Sequence, residues 1–369
     1  MKVFRIILLV FNILAALGLV ATTLAELIAP SSNILPSVLT YGFLPMLVLN
    51  LVLLIVWLCM GRWEFLISAG TILLRFSYIG LFFQIGGTSE VPPADEHPHM
   101  VTLLSYNLHN FGGREFEVAA SAEHADAFLQ LLDENNHPDI LCLQEYSAVP
   151  DRNVTDSLTA RGYLHRYGAH GGSDNPSGTV VFSKLPITYV KHIDQQKVLV
   201  ELQKGKRKFR VCCVHMDSYQ FTLDNRSDID DMRHGKLDST TRRTLSKAKE
   251  TVLCHEKEWK ELLRPLVTGS SVPMLLAGDM NDIPGSWLYG QITDYLDDTY
   301  CDEGSGFCTT FNGGSGKLLP LGHNWLPQFR IDMVFHSPEF TTLSYHRIKN
   351  DISDHYPVLV ALELRSERE

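Results

Sequence analysis

The sequence has little positive charge, and this scarcity limits the ligands that the protein can hold. It contains 32 Lys and Arg against 42 Asp and Glu, for a formal net charge of −10 at pH 7. Residues 1–89 hold four of the basic and two of the acidic residues, so the remaining chain has a net charge of −12. Long nucleic acids are bound through several Lys and Arg contacts to phosphates. The composition therefore weighs against a nucleic-acid-binding protein without excluding one.

Charge of either sign is sparse in the first 89 residues, which leaves three long apolar stretches. A membrane span needs about 20 mostly apolar residues, and Ile6–Ala25, Val38–Met60 and Phe65–Gly87 are long enough. Residues 1–89 are therefore predicted to be a transmembrane region of about three helices. Two alternatives stay open. Arg75 is costly inside a span, so the third stretch could dip in and out on one side, and the first stretch also resembles a cleaved signal peptide.

The positions of Lys and Arg predict the orientation of these helices. Lys2 and Arg5 precede the first stretch and Arg62 lies between the second and the third, whereas residues 26–37 contain no basic residue. Because short basic loops stay on the cytoplasmic side, three spans carry the chain to the outer side. Residues 90–99, which include three prolines, are predicted to be an extended linker. We therefore expect an integral membrane protein whose large domain is extracytoplasmic.

Most of the seven cysteines lie in apolar runs, where packed thiols are expected. Cys301 and Cys308 differ, because they flank a glycine-containing segment. The two would pair in an oxidising compartment. The sequence leaves open whether they do.

Short apolar runs alternate with polar segments from residue 100 onwards. Seven of these runs are rich in apolar and β-branched residues and have the length of strands. They are Val101–Tyr106, Asp139–Gln144, Gly178–Ser183, Phe209–His215, Pro273–Gly278, Ile331–His336 and Pro357–Leu364. Apolar residues at helical spacing predict one helix between Val118 and Leu132 and another between Leu245 and Leu262. Residues 100–369 are therefore predicted to form one α/β domain of packed sheets flanked by helices.

Polar side chains stand at the ends of several predicted strands, where α/β folds commonly place their sites. Asn107 follows the first strand, Glu145 ends the second and His215 ends the fourth. Asp279 and Asn281 follow the fifth strand, and residues two apart in an extended chain face the same side. A carboxylate and an amide so placed can orient a water molecule and hold a phosphoryl oxygen. Carboxylate oxygens at a strand end are also what Mg²⁺ requires.

The last two predicted strands are accompanied by two acids and an imidazole. Asp354 and His355 precede the final strand, and Asp332 lies at the start of the one before it. Asp332 could hold the imidazole of His355 in one tautomer. Each of these residues taken alone is as typical of a turn as of a site. Their recurrence at so many strand ends predicts a hydrolytic site.

The order of these motifs resembles that of the metal-dependent endonuclease/exonuclease/phosphatase superfamily. The shared order is Asn, Gln-Glu, His, Gly-Asp-x-Asn, Ile-Asp and Ser-Asp-His, over about residues 100–364. The resemblance implies a four-layer α/β sandwich of two packed β-sheets flanked by helices. It also implies hydrolysis of a phosphoester by water in line with the leaving oxygen, with Mg²⁺ or Mn²⁺ as cofactor. Glu145 would then be the principal metal ligand, with Asn107 beside it and Asp354 near the metal.

The same resemblance implies roles for the other residues. Asp279 would position or deprotonate the attacking water, and Asn281 would bind the phosphate. His355, oriented by Asp332, would stabilise charge at the phosphorus. His215 would contact the phosphate or protonate the leaving group. The motifs do not decide which group acts as base and which as acid.

Three functions follow from these observations. The first is a membrane-tethered phosphodiesterase or phosphomonoesterase with a small or lipid-linked substrate, which the acidic domain and the apolar helices favour. The second is an extracytoplasmic nuclease, whose basic surface would be residues 204–210, although that run is equally typical of a solvated hairpin turn. The third, a non-catalytic scaffold, predicts missing motif residues, and none is missing. We expect a phosphoester substrate and a lipid bilayer as partners and infer no protein partner.

The polar stretch Asp217–Thr241 is long for a connection without regular structure. It is either a solvated insertion or a lid over the site.

Overall fold

A computed structural model describes residues 2–113, 120–150, 152–168, 177–218, 237–312 and 329–365, with the backbone alone at 237–245. The chain divides into two compact units. The first comprises Met1–Phe82, Ser218–Lys260 and Asp282–Asp294, and the second comprises Phe83–Asp217, Glu261–Asn281 and Tyr295–Glu369. These units differ from the predicted domains 1–89 and 100–369. The reason is that two segments of the predicted large domain are packed with the N-terminal helices.

The N-terminal part of the first unit consists of helices. They are α1 (Lys2–Ala21), α2 (Leu35–Leu39), α3 (Phe43–Cys59), α4 (Phe65–Leu74) and α5 (Phe76–Ile79). Two helical segments, Lys2–Ala21 and Leu35–Cys59, are long and apolar enough to cross a membrane by length and composition. The third predicted span is not one continuous helix. The backbone leaves helical geometry at Arg75, and this break separates α4 from α5.

Buried polar side chains join the three longest of these helices. Ser68 of α4 donates a hydrogen bond to the fully buried Asn12 of α1 at 2.7 Å. Asn50 of α3 donates to a backbone carbonyl of α1 at 3.0 Å. Arg5 forms a 2.5 Å ion pair with Glu64, whose side chain is buried. Such bonds hold apolar helices together where the surroundings provide no hydrophobic driving force.

Two further helices lie in the described part of the first unit. α8 (Leu237–Glu258) covers most of the second predicted helix, which continues as a π-helical turn at Trp259–Leu263. α10 (Trp287–Thr293) begins at Ser286, whose hydroxyl caps the helix by accepting the backbone N–H of Tyr289.

Two six-stranded sheets form the second unit. In chain order its strands are β1 (Phe83–Gln84), β2 (Met100–Asn107), β3 (Ile140–Ser147), β4 (His165–Gly168), β5 (Ser177–Ser183), β6 (Ile187–Asp194), β7 (Lys197–Lys204), β8 (Arg207–His215), β9 (Met274–Asp279), β10 (Asp297–Asp298), β11 (Gly306–Phe307), β12 (Asp332–His336), β13 (Phe340–Arg347) and β14 (Val358–Leu364). One sheet has the order β13-β14-β2-β3-β5-β4 and the other β10-β12-β9-β8-β7-β6, while β1 pairs with β11. Only β2–β3 and β8–β9 are parallel among the pairs described, so both sheets are mixed.

The two sheets pack face to face through apolar side chains. Leu103 and Val181 of one sheet share a buried cluster with Val200, Val211 and Leu275 of the other. Complete burial of such a side chain contributes about 1.5–3 kcal/mol. The prediction of two packed sheets is thereby confirmed.

Helices cover the outer face of the first sheet. α6 (Ala122–Glu134) begins at Ser121, whose hydroxyl accepts the backbone N–H of His124. Its residues Phe128 and Leu132 are fully buried in a cluster with Leu104 and Leu141 of the sheet. The other helices of this unit are α7 (Val154–Ala160), α9 (Arg264–Thr268) and α11 (Thr299–Glu303). The flanking helices that the sequence predicts are therefore present.

Strand register brings polar residues together at one edge of the paired sheets. Because β2 and β3 are parallel, their carboxyl ends meet, with Asn107 opposite Gln144. In the other sheet His215 at the end of β8 lies opposite Asp279 at the end of β9. The antiparallel pairing of β12 with β9 places Asp332 opposite Asp279 as well.

Candidate active site

An asparagine amide bridges two carboxylates that come from different sheets. Asn107 is 1 % exposed, and its Nδ2 donates to Glu145 Oε1 at 3.3 Å and to Asp279 Oδ2 at 3.1 Å. Asp279 is equally buried, whereas the Glu145 side chain is 27 % exposed. The carboxylate of Asp279 is therefore closed off from solvent, whereas that of Glu145 is accessible.

His215 faces the same two carboxylates. Its Nε2 lies 3.8 Å from Glu145 Oε1 and 3.7 Å from Asp279 Oδ2. Its other ring nitrogen, Nδ1, lies 3.1 Å from the side-chain oxygen of Gln196. The amide oxygen of Gln196 can only accept a hydrogen bond, so Nδ1 of His215 donates to it and Nε2 faces the acids.

A second histidine is held by a buried acid. His355 Nδ1 lies 2.9 Å from Asp332 Oδ2, and its Nε2 lies 3.8 Å from Asp279 Oδ2 and 4.0 Å from Asp354 Oδ1. Asp332 is fully buried, and its backbone N–H donates to the hydroxyl of Thr310 at 2.9 Å. The other carboxylate oxygen of Asp332, Oδ1, is buried without a hydrogen-bond partner.

The close acids and imidazoles change one another's pKa values. Burial and the neighbouring charge of Asp332 raise the pKa of Asp279 to about 6. Burial by itself would lower the pKa of His355, but the carboxylates of Asp332 and Asp279 raise it well above its ordinary value. His355 is thus a stabilised cation, and Asp279 is a stronger base than a surface carboxylate.

Two polar residues that contact carboxylates of the site were not predicted from the sequence. His109 Nδ1 lies 2.6 Å from Asp354 Oδ1, and Asn110 Nδ2 donates to Glu145 Oε2 at 3.1 Å. The hydrogen bond to Asp354 raises the pKa of His109. Burial favours neutral Asp354, but the bond from His109 holds the pKa of that carboxyl below its ordinary value. The run of polar residues directly after the first predicted strand was the available signal.

The backbone has unusual conformations at these residues. Glu145 has a φ of 49° beside a bulge in the pairing of β3 with β5, and His109, Asn110 and Phe111 have φ values of 46°, 53° and 52°. Non-glycine residues in such regions cost about 1–3 kcal/mol each and persist only when their surroundings enforce them. The bulge ends regular pairing where Glu145 enters the site.

Asn281 reaches the site by a turn, which differs from the extended geometry expected for it. Its φ is 48°, its backbone N–H donates to Asp279 Oδ1 at 2.8 Å, and its side-chain Nδ2 donates to the Met216 carbonyl at 2.9 Å. The two-residue alternation of a strand therefore ends at Asp279. Gly278 precedes this turn with a φ of 144°, and a Cβ there would lie 1.8 Å from the Val214 carbonyl oxygen.

All eight residues predicted for the site lie in the second unit and form one connected set. Each has an atom within 4.0 Å of another member. They are Asn107, Glu145, His215, Asp279, Asn281, Asp332, Asp354 and His355.

The donor set fits a divalent cation. Glu145 and Asp354 offer carboxylate oxygens, and Asn107 offers an amide oxygen that also accepts the backbone N–H of His109 at 3.0 Å; oxygen is the ligand type that Mg²⁺ and Mn²⁺ prefer. Asp279 and Asp332 add negative charge nearby, and the unpartnered buried oxygen of Asp332 lacks compensation by hydrogen bonds. Asp279, Asp332 and His355 also have ligand atoms within 4.8 Å of one another. The site contains more carboxylates than imidazoles, and the cost of burying this excess negative charge favours the binding of a positive ion.

Four of the five basic residues at 204–210 contact other groups of the protein. It surrounds the hairpin turn between β7 and β8, where Gly205 has a φ of 61°. Lys204 donates to the Met100 carbonyl, and Arg207 donates to the Leu364 carbonyl at 3.0 Å. Lys208 and Arg210 contact the same acid, Glu201, at 3.1 and 3.4 Å. These contacts favour the hairpin interpretation over a nucleic-acid surface.

Two other sequence questions concern the surroundings of the site. Cys301 Sγ lies 3.7 Å from an Asp298 carboxylate oxygen and Cys308 Sγ lies 3.3 Å from the Tyr345 hydroxyl, so each is a thiol in the structure. The stretch considered as a lid falls mostly at residues 219–236, which lie outside the described residues.

Two family models match the chain. The model of the Endonuclease/Exonuclease/phosphatase family matches residues 104–355, which is more than half of the chain and includes all eight site residues. A domain of unknown function matches residues 5–82. The comparison with curated proteins found no match.

Several solved structures are similar to this chain. An endonuclease/exonuclease/phosphatase from Beutenbergia cavernae is 20 % identical with a TM-score of 0.47, and the match covers 72 % of each chain. The human Nocturnin catalytic domain with bound sulfate is 17 % identical with a TM-score of 0.48, over 74 % of this chain and 99 % of that one. A truncated Caenorhabditis elegans TDP2 is 17 % identical with a TM-score of 0.46, over 72 % and 99 %. The family assignment rests on the family model alone.

Proposed function

Because the chain belongs to the endonuclease/exonuclease/phosphatase family, we propose that it is a divalent-metal-dependent phosphoesterase held in a membrane by its N-terminal helices. One observation carries the proposal: four carboxylates, two amides and two imidazoles form a connected set with contacts of 4.0 Å or less. The set contains oxygen ligands for a cation, a base near neutrality and a stabilised imidazolium. Hydrolysis of a phosphoester needs all three.

Glu145, Asn107 and Asp354 would hold Mg²⁺ or Mn²⁺. Such an ion, when bound, polarises a phosphoryl oxygen and offsets the charge that develops during the reaction. Asn110 and His109 keep the ligand carboxylates in place, because they bond to Glu145 and Asp354 respectively.

The remaining residues manage protons and negative charge. Asp279, with its raised pKa, takes a proton from the attacking water, while Asn281 holds a phosphoryl oxygen. His355 keeps a positive charge toward the phosphorus, because Asp332 accepts its Nδ1–H. In its doubly protonated form His215 holds Nδ1–H against Gln196 and gives its Nε2 proton to the departing oxygen, so the phosphorus–oxygen bond breaks as an alcohol leaves and neutral His215 remains.

The substrate that we propose is small or lipid-linked. The chain beyond residue 89 has a net charge of −12, which repels long polyanions. The basic run at residues 204–210 is engaged by Glu201 and backbone carbonyls, which supports the same view. A nuclease would instead show salt-sensitive binding of oligonucleotides.

The test uses the full chain in detergent or lipid vesicles. It measures hydrolysis of an aryl phosphodiester and an aryl phosphomonoester with Mg²⁺, with Mn²⁺ and with chelator. We expect metal-dependent turnover that falls about 10²- to 10⁴-fold in His355→Ala and in Glu145→Gln. Tyr163→Phe is the control, since the buried Tyr163 hydroxyl has no hydrogen-bond partner and lies outside the site set. Equal turnover with and without chelator, or none on diester, monoester, lipid and oligonucleotide substrates, would contradict the proposal.

We also propose that the catalytic domain is extracytoplasmic, from the distribution of Lys2, Arg5 and Arg62 around the apolar stretches. A reporter that is active only in the cytoplasm, fused after Glu369, should remain inactive. A reporter active only outside the cytoplasm should work at the same position. The reverse pattern would overturn the orientation and leave the enzymatic proposal intact.

A further inference from the structure

The segment that directly follows Asn281 belongs to the first unit, together with the N-terminal helices. Residues 282–286 are all buried, and they connect the catalytic turn to α10. The hydroxyls of Thr40 and Tyr78 both donate to the Gly285 carbonyl, at 3.2 and 2.7 Å, and lie 3.2 Å from each other. Thr40 is 1 % exposed and Tyr78 is 7 % exposed. Two N-terminal hydroxyls therefore satisfy one buried carbonyl four residues beyond Asn281.

Gly285 is shaped to receive Tyr78. Its φ of 82° favours glycine, and a Cβ at this position would lie 1.7 Å from the Tyr78 hydroxyl oxygen. Tyr78 thus occupies the space that any other residue's side chain would need. The positive φ of Gly285, its hydrogen bond to Tyr78 and the close packing of the two residues therefore all depend on a glycine at position 285 and a tyrosine at position 78.

The first residue of the segment is held as well. The Tyr41 hydroxyl donates to Asp282 Oδ1 at 3.2 Å, and His255 Nδ1 of α8 lies 3.4 Å from Asp282 Oδ2. Asp282 is 5 % exposed and His255 is 1 % exposed. Asp282 is covalently joined to Asn281, so whatever holds its carboxylate also limits the backbone of Asn281. A buried carboxylate that lost these partners would be costly.

We propose that Thr40, Tyr41 and Tyr78, here named the hydroxyl clasp, are positioning residues for the active site. The clasp acts on Asn281 through the turn 282–285, and this inference rests on the function proposed above. Asn281 has a φ of 48°, a conformation that its surroundings must enforce. On one side the turn is fixed by Asp279 and Met216, and on the other by the clasp. The N-terminal region thus has a role in catalysis beyond anchoring.

The first test compares Tyr78→Phe, Thr40→Val and the conservative Thr40→Ser in the full chain in vesicles. A net hydrogen bond of typical strength corresponds to about a three- to tenfold effect. We expect Tyr78→Phe and Thr40→Val each to lower kcat by about that factor with little change in KM, and Thr40→Ser to retain activity. Tyr163→Phe is the matched control for loss of a buried tyrosine hydroxyl. Loss of activity in Thr40→Ser equal to that in Thr40→Val would contradict the proposal.

The second test asks whether the clasp acts through Asn281. In an Asn281→Ala background, Tyr78→Phe should change kcat by less than about twofold, because the residue that it positions is gone. An equal loss in both backgrounds would mean a general structural effect and would overturn the proposal.

A third measurement does not depend on turnover. Amide hydrogen exchange of peptides covering 280–286 should be faster in Tyr78→Phe and in Thr40→Val than in the wild type, with β2 and β3 unchanged. Unchanged exchange at 280–286 in both variants would overturn the clasp. Faster exchange in a protein without any turnover would support the clasp and reject the proposed function.

Discussion

The pairing of His355 with Asp332 explains why a buried imidazole can stay charged. Removing a cation from water is unfavourable, and burial alone would lower the pKa of His355. Two carboxylates within 4 Å reverse this effect, one at 2.9 Å from Nδ1 and one at 3.8 Å from Nε2. The same arrangement prevents two like charges, Asp279 and Asp332, from facing each other uncompensated across paired strands.

We predict that Asp332→Asn lowers kcat by about 100-fold or more. The amide can no longer hold a charged imidazole, so His355 loses both its orientation and its positive charge. Steady-state kinetics of the full chain would measure the effect, with the exposed Asp297→Asn as control. The double variant Asp332→Asn/His355→Ala should be no slower than His355→Ala alone. Additive losses would show that Asp332 acts independently of His355.

The sequence could predict that the eight site residues lie together, because motif residues at strand ends carry a signal in the linear sequence. His109, Asn110 and Gln196 could not be predicted, since their roles depend on backbone conformation and on contacts between segments. A φ of 53° at Asn110 has no unique sequence pattern. Asn281 shows the same limit, because its residue type was predicted and its turn geometry was not.

At the scale of elements, β7 is a strand that the sequence misses because charge interrupts its apolar pattern. β7 contains Lys197 and Glu201, which are 2 % and 8 % exposed. Lys197 pairs with Asp194, and Glu201 pairs with Lys208 and Arg210. Cross-strand ion pairs let a charged sequence occupy a buried strand. Apolar alternation alone identifies the seven predicted strands and leaves β7 unrecognised.

An ion pair between β12 and α11 predicts how stability depends on pH. Burial opposes charge on His336, but its 2.8 Å contact with Asp302 raises the pKa of His336 above 6.5. Bonds from His336 and Thr342 outweigh burial and lower the pKa of Asp302 below 3.8. The ion pair therefore contributes its full stabilisation between pH 3.8 and pH 6.5, the ordinary pKa values of Asp302 and His336. The contribution disappears as pH rises through the folded pKa of His336 or falls through that of Asp302.

We expect His336→Gln to reduce the loss of stability as the pH rises above 6.5, because the variant has no charge to lose. Denaturant unfolding of the detergent-solubilised full chain would measure the free energy of unfolding at each pH. The exposed His192→Gln, on β6, is the control. A pH dependence identical in His336→Gln and wild type would rule out this pair as its source.

At the scale of the whole molecule, composition predicts apolar N-terminal helices and an α/β fold but not the division into units. Hydropathy distinguishes residues 1–89 from the rest, yet Asp282–Asp294 groups with the N-terminal helices. That grouping depends on hydroxyls such as those of Tyr78 and Tyr41, which contact residues more than 200 positions away. Long-range hydrogen bonds between single side chains leave no periodicity in a sequence.

We predict that a fragment beginning at residue 83 has a lower Tm than the full chain in the same detergent. The fragment loses the partners of Gly285 and Asp282 and the Ser31 contacts to Glu256 at 2.6 and 2.7 Å. Hydrogen exchange should accelerate at 252–256 and 282–294, whereas β2 and β3 provide the internal control. A fragment as stable as the full chain would show that these contacts contribute nothing to folding.

The proposed coupling between the hydroxyl clasp and Asn281 must also act in the reverse direction. Coupling between two sites is reciprocal, so a turn that helps to organise Asn281 must itself be organised when Asn281 is occupied. A phosphate analogue bound at the site would then tighten the packing of Tyr78 on Gly285 by the same free energy. The packing of the N-terminal residue Tyr78 on Gly285 would thereby report whether the site is occupied.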